Sequence, residues 1–411
     1  MGDVSAGSGE SPERAYRRDR LTWAAFSGLL AFGFLNAALG PALPYIRGVE
    51  HISYLVGALH QVAFAVGGGL AGLLTIRAEG RFGRGVTIRL GLAGAAIAGL
   101  GVGYGGAVVI TVLAAFLMSL FGTLALIRMW AALADAHGAR RTVAMAEGEV
   151  SVSLGGIVTP LLVGGFAATA LTWRFAFVTG GAIVGAAVLA MGAVRVPGPA
   201  LRPPPRPRSA STHSHRSLPA PTLVVVFAIV GLEFSLSFWL ASYLNDSIGL
   251  SRGLSVVMVS GLYTANLAGR LLASRLARHT TTELLLAGSL IVGLAGLPIL
   301  LATSDPTVAA LGVALAGLGV GAMFPLTSSL HVAVSSRNAD GAIGQVLAMA
   351  SIGQILGPLT VGAIAQTAGL RDGLLILPAL VLLAAAALAR HYSQTLDHRS
   401  SSQTNTARPD L

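Results

Sequence analysis

Long apolar runs separated by short polar stretches make up most of the chain, and their length is informative before any single residue is. A helix needs about 20 mostly apolar residues to cross a bilayer. Twelve runs meet that test, near residues 22–46, 53–76, 85–103, 107–133, 145–168, 174–194, 221–244, 253–275, 283–302, 307–332, 342–366 and 373–391. The pattern predicts an all-α integral membrane protein with twelve transmembrane helices. Between the sixth and seventh runs lies "RVPGPALRPPPRPRSASTHSHRSLPAP", rich in proline, serine and arginine, which reads as a linker and not as a packed element. The expected organisation is a tail at 1–20, a six-helix bundle at 21–194, the linker at 195–220, a second six-helix bundle at 221–391 and a tail at 392–411.

The two bundles repeat one another. Sliding the chain against itself by 198 residues pairs Gly33 with Gly231, Tyr45 with Tyr243, Ser53 with Ser251 and Arg77 with Arg275. The same offset pairs Ser153 with Ser351, Gly155 with Gly353, Pro160 with Pro358 and Gly164 with Gly362. One constant offset across several helices indicates duplicated, pseudo-symmetric halves, an arrangement found in secondary transporters.

Composition sharpens this picture. Of 411 residues, 54% are hydrophobic and only 11% charged, far from the balance of a soluble globular chain. The 53 glycines suit helices that pack closely in lipid, where small residues replace the hydrophobic effect as the basis of association. Cysteine is absent, which excludes disulfides, thiolate metal sites and cysteine nucleophiles. No Walker loop, H-E-x-x-H or nucleophile elbow occurs, so neither ATP hydrolysis nor membrane proteolysis has support, and no enzyme activity, metal or cofactor is expected.

The net charge of +10 comes from 27 arginines without a single lysine. They lie in short clusters between apolar runs and not along an aromatic-interleaved surface, so nucleic acid is not an expected partner. With the N-terminus inside, the inner segments collect Arg14, Arg17, Arg18, Arg20, Arg77, Arg81, Arg84, Arg140, Arg141, the linker arginines, Arg275, Arg278 and Arg337, against Arg47, Arg174, Arg252 and Arg371 outside. That asymmetry obeys the positive-inside rule and predicts a multi-pass plasma-membrane protein with both termini cytoplasmic.

Several motifs resemble those of the major facilitator superfamily over about residues 22–391. "RAEGRFGRGV" after span two is close to the family's loop signature, in which an aspartate precedes R-x-G-R; Arg81, Gly83 and Arg84 match, while Gly80 stands in the aspartate's place and Glu79 adjoins it. "GRLLASRLARH" after span eight is a second, weaker copy carrying Arg270, Arg275 and Arg278. "GGIVTPLLVGG" in span five and "GQILGPLTVG" in span eleven resemble the family's G-x-x-x-G-P helix motif through Gly155, Pro160, Gly353, Gly357 and Pro358, with Thr159 replacing the second glycine of the first copy. "FGFLNAALGPALP", "GALHQVAFAVGGGLAG" and "VGLEFSLSFWLASYL" are most similar to the sugar-porter branch that contains fucose/proton symporters. The resemblance implies the fold of that superfamily, with spans one, four, seven and ten lining a central cavity. Carboxylates that the branch would carry in spans one and four are replaced here by Asn36 and Arg128.

The polar residues at membrane depth are the candidate site. Glu233 sits near the middle of span seven with Ser237 one turn on, and reads as a proton-carrying carboxylate or as half of a structural ion pair. Arg128 either holds an anionic group or snorkels to the headgroups. Trp239 is a belt residue or a substrate platform. Asn36, His60, Gln61, Asn266 and Gln354 are substrate contacts or interhelical glue. Glu147 and Glu149 read as carboxylates complementing the dipole at the start of span five. The expected activity is proton-coupled movement of a small organic solute by alternating access, with uptake of a sugar-like solute and efflux of a hydrophobic or drug-like compound both open, and with the chain working as a monomer. A transport-dead sensor or scaffold is the alternative from another class.

Overall fold

The computed structural model describes residues 16–198, 221–335 and 339–406. Most of the predicted linker, at 199–220, therefore lies outside the described residues, as do 1–15 and 407–411 of the tails. Every regular element described is helical. The first bundle comprises α1 (Arg20–Asn36), α2 (Leu39–Glu50), α3 (Tyr54–Phe82), α4 (Arg84–Tyr104), α5 (Val108–His137), α6 (Arg141–Ala167) and α7 (Phe175–Gly192). The second comprises α8 (Pro221–Asp246), α9 (Arg252–Leu276), α10 (Thr282–Ala302), α11 (Pro306–Val334), α12 (Ala339–Ala368), the single turn α13 (Leu370–Gly373) and α14 (Ile376–Thr406). Eleven segments are long and apolar enough to cross a membrane, and the 60-residue one at Val108–Ala167 contains both α5 and α6, so the described residues supply twelve crossings. Both chain ends fall on one face, called here the terminal face; the other is the distal face.

Helix starts are written locally. Asp19 accepts from the Thr22 amide at 2.8 Å to begin α1, and Asp305 accepts from the amides of Thr307 and Val308 to begin α11 with Pro306 in its first turn. Those two amides hold the Asp305 carboxyl below the usual carboxylate range. Gly83, with φ of 75°, makes the turn between α3 and α4 that a side chain would strain, which accounts for the glycine of the loop signature.

Three boundaries differ from the sequence pattern. The first crossing is two helices with a break at Ala37–Ala38, because Pro41 has no N–H for the Ala37 carbonyl and its ring crowds that carbonyl. Spans four and five are joined by one 3-10 turn, Gly138–Arg140. The last helix runs on to Thr406, past the predicted 391.

The internal repeat is visible in the packing. A Cβ at Gly33 would collide with the Val152 backbone and one at Gly155 with Leu30, which lets α1 and α6 touch along their backbones. At the positions 198 residues later, Gly353 packs against the Phe227 carbonyl and the Gly231 amide, joining α8 to α12 in the same way. In lipid, such close approach is the main source of helix association.

The two bundles meet along three seams, each closest toward the distal face. Gly164 of α6 packs on Gly253 and Val257 of α9, and the Ser260 hydroxyl donates to the Ile157 carbonyl at 2.9 Å. Gly362 of α12 packs on Tyr54 and Ala58 of α3, and Gly40 of α2 on the Ser237 and Phe238 backbone of α8. Large apolar side chains such as Leu73, Ile97, Val109, Leu189 and Ile291 are strongly exposed around the outside, as a lipid-facing surface requires.

Candidate functional site

The break in α1 leaves a carbonyl to account for. The Ala38 amide bonds to Leu35, so the Phe34 carbonyl loses its helical donor; the Thr159 hydroxyl takes its place at 2.8 Å. Thr159 is the residue that departs from the glycine motif, and the departure thus matches a break that the other bundle lacks, since α8 runs unbroken past the equivalent point. Replacing Thr159 by valine is expected to cost about 1–3 kcal/mol by stranding a buried carbonyl. A lower melting temperature in Thr159→Val, restored in Thr159→Ser, is the check; an unchanged value would mean that water already satisfies Phe34.

Just across the bundle interface lies Glu233. It is twelve residues into α8, about 18 Å of rise and hence near the bilayer centre. Its carboxylate Oε1 is 3.7 Å from Nη2 of Arg270 on α9. Nη1 of the same arginine donates to Glu149 Oε2 on α6 at 3.2 Å, and its Nε donates to the Gly321 carbonyl on α11 at 2.9 Å. Tyr263 of α9, two turns from Arg270 on the same side of the helix, lies close enough to interact with Glu233 and with Ser237. The side chains are partly accessible, 52% for Glu149, 31% for Arg270 and 21% for Glu233, and form one cluster where α6, α8 and α9 meet.

Two expectations are corrected here. Helix α6 starts at Arg141, with no acidic residue in its first turn, so Glu147 and Glu149 sit too far along to complement the helix end. Glu149 pairs with Arg270 across the bundles, and Glu147 receives both Arg18, at 2.7 and 2.9 Å, and the Tyr16 hydroxyl at 2.7 Å. Burial and Glu147 together push the Tyr16 hydroxyl up to about 12. Arg270, placed with the second loop signature by its motif, is turned toward α6, α8 and α11.

Other predicted residues fall elsewhere. Trp239 is fully buried and its indole N–H donates to the Pro358 carbonyl at 3.0 Å, so it is not a belt residue; its ring lies tilted against that of Tyr54 of the other bundle, with centroids 5.9 Å apart. Arg128 is 7% exposed, which does not fit an arginine snorkelling to headgroups. His60 lies between the Gly57 carbonyl at 3.2 Å and the Thr111 hydroxyl at 2.9 Å inside the first bundle. Asn266, with its amide nitrogen toward α11, donates to Gly317 at 2.7 Å and Leu262 at 3.3 Å inside the second. These bonds tie neighbouring helices together within each bundle. Asn36 ends α1 at the break and is half-buried, as is Gln354; Gln61 is buried with its amide nitrogen unpaired among the described residues.

In the loop signature, Arg84 is buried and pairs with Asp135 of α5 at 2.9 Å, while also donating to the Pro197 carbonyl at 3.3 Å. Asp135 thus gives Arg84 an anionic partner, although Gly80 offers the loop no carboxylate. Arg81 and Arg275 are exposed, and the side chain of Glu79 lies outside the described set.

One functional cluster had no trace in the sequence reading. On the distal face Asp246 of α8 accepts from Arg47 of α2 at 3.0 Å and from the Tyr54 hydroxyl of α3 at 2.9 Å, tying the two bundles together. Among the described residues no group of three or more His, Asp or Glu side chains gathers as a metal site would.

Comparison with known proteins agrees with this architecture. Residues 25–339, and in a second overlapping match 257–409, fit the sequence model of the Major Facilitator Superfamily. The fold is similar to that of a bacterial homologue of the human lysosomal transporter Spinster in an inward-facing, unoccupied conformation, with 15% identity, 93% of this chain and 99% of that one covered, and a TM-score of 0.73. A D-xylose-proton symporter aligns with 17% identity over 90% of this chain and 96% of that one, TM-score 0.70, and a nucleoside transporter with 13% over 90% and 99%, TM-score 0.68. At these identities the likeness establishes the fold alone. No curated protein matches the sequence.

Proposed function

The chain belongs to the major facilitator superfamily, and from that premise we propose that it is a proton-coupled carrier in which Glu233 exchanges the proton. Its fold is that of a membrane transporter and not of an enzyme. The observation that carries the proton reading is an ionisable carboxylate at mid-membrane depth, held 3.7 Å from an arginine that also bonds the opposite bundle. Intramembrane acids of this kind mark ion pathways and relays, because an ionised carboxylate in hydrocarbon costs roughly 2.5–3.5 kcal/mol even on lenient scales. Burial favours the neutral form and water the ionised one, so alternating access gives the residue alternating proton affinity.

The solute is a small organic compound. The cluster around Glu233 offers Ser237, Tyr263 and the arginine as hydrogen-bonding partners. Rocking of the bundles about this depth is the mechanism that the three seams support. The arginine asymmetry supports a cytoplasmic terminal face in the plasma membrane. The missing loop aspartates keep a transport-dead scaffold as the alternative; Arg84 of the first loop still has an anionic partner in Asp135, which supports a working carrier.

The test uses the full chain in proteoliposomes with a pH-sensitive dye inside, oriented by a Ser211→Cys label. A panel running from sugar-like to hydrophobic solutes is added. Proton movement that depends on one of them is expected. Solute flux with no accompanying proton flux would sink the proposal.

A further inference from the structure

The guanidinium of Arg270 divides its nitrogens among three helices. Nε is pinned to the Gly321 carbonyl of its own bundle, Nη1 bonds Glu149 of the opposite bundle, and Nη2 faces Glu233 of its own. The Glu233 contact at 3.7 Å is electrostatic reach and not a hydrogen bond, whereas the Glu149 contact at 3.2 Å is one. We propose that Arg270 is the coupling residue of the carrier, shared between a carboxylate of each bundle, so that the proton on Glu233 sets how firmly Arg270 clamps the bundles together. The inference rests on Glu233 as the proton carrier and adds what its proton does mechanically.

The charged and titratable groups acting on Glu233 are Arg270 and Tyr263 from α9 and Glu149 from α6; those acting on Glu149 are Arg270 and, by the same mutual repulsion, Glu233. With Glu233 neutral, the guanidinium has one anion to serve, Glu149, and the cross-bundle bond is at its strongest. With Glu233 ionised, one cation is divided between two anions that also repel each other, and the clamp loosens. Glu149 lies eight residues into α6 and Arg270 six residues before the end of α9, about 12 and 9 Å from the terminal ends of their helices. The clamp therefore acts on the terminal side of Glu233, where its release lets the bundles part toward the terminal face. Arg270 positions the bundles; it need not touch the solute.

The cysteine-free chain allows a direct measurement. Spin labels at Ala139→Cys and Ser274→Cys, both exposed on the terminal face but in different bundles, report the separation of the bundles in the reconstituted protein. Raising the pH should move the population from the short to the long distance by about 5- to 150-fold, the usual range for coupling between two sites. Glu233→Gln should stay short at every pH, Glu149→Gln should stay long, and Glu149→Asp should recover the response. Neither glutamine variant strands the arginine, since each leaves it one carboxylate and the Gly321 carbonyl. If Glu149→Gln keeps the full pH response while Glu233→Gln loses it, the clamp is idle and the proton reading stands. Should Glu233→Gln keep the response, the proton reading fails and takes the clamp with it.

Discussion

Glu233→Gln is expected to insert and fold, to exchange solute only slowly at equal pH on both sides because the clamp stays shut, and to lose all accumulation driven by a pH gradient. The amide has the size of the protonated acid but can neither release nor bind the proton. With one proton moved per solute, a gradient of one pH unit supports about tenfold accumulation, because a tenfold proton ratio is worth about 1.4 kcal/mol. The variant should settle at a ratio of about one. Stability separates this from a structural role. A buried ion pair broken at one partner typically costs about 3–5 kcal/mol through the stranded charge. Arg270 would not be stranded here, because Glu149 and the Gly321 carbonyl remain bonded to it. The melting temperature should therefore change little. Full gradient-driven accumulation by a stable variant would rule out the proton-carrier reading, and a large loss of stability would make Glu233 a structural partner.

The contrast between Glu233 and Glu149 shows what a linear pattern can carry. A carboxylate in the middle of an apolar run is conspicuous at once, and twelve runs of membrane length gave the crossings. The 198-residue repeat was legible because close helix packing demands glycine at the same register in both copies, as at Gly155 and Gly353. Glu149 sits beside a charged cluster at the edge of its run, where a helix-end role is the simplest inference. Its partner Arg270 is 121 residues away on a helix of the other bundle. Nothing local records that pairing. His60 and Asn266 were ambiguous for a related reason: a polar side chain at membrane depth is the same in sequence whether it faces a lumen or a neighbouring helix, and only the Thr111 and Gly317 contacts decide it. The α1 break was within reach, since Pro41 dictates it, but an apolar run counted only by length conceals it.

Removal of Asp246 is expected to open the distal face. Arg47 and Tyr54 both donate to the same oxygen of Asp246, and the Arg47 guanidinium lies 3.7 Å over the Tyr54 ring. The stacked pair belongs to the first bundle and moves with it, so Asp246 is what converts an internal contact into a tie between bundles. The side chains are only partly accessible, 18% for Arg47 and 30% for Asp246, which puts the tie above a fully exposed ion pair and below a buried one. A value of about 1–2 kcal/mol follows, or a factor of about 5–30 in the equilibrium between distal-closed and distal-open forms. Spin labels at Leu171→Cys and Ser304→Cys, exposed on distal loops of the two bundles, should show that shift toward long distances in Asp246→Ala. Asp246→Asn should fall between, because its amide oxygen still accepts from Tyr54 but carries no charge for Arg47. Arg47→Ala should match Asp246→Ala in direction, and the double variant should add little to either, as expected for two residues whose effects run through one contact. An unaltered distance distribution in a well-folded Asp246→Ala protein would leave the glycine-lined seams as sufficient to hold the distal face shut.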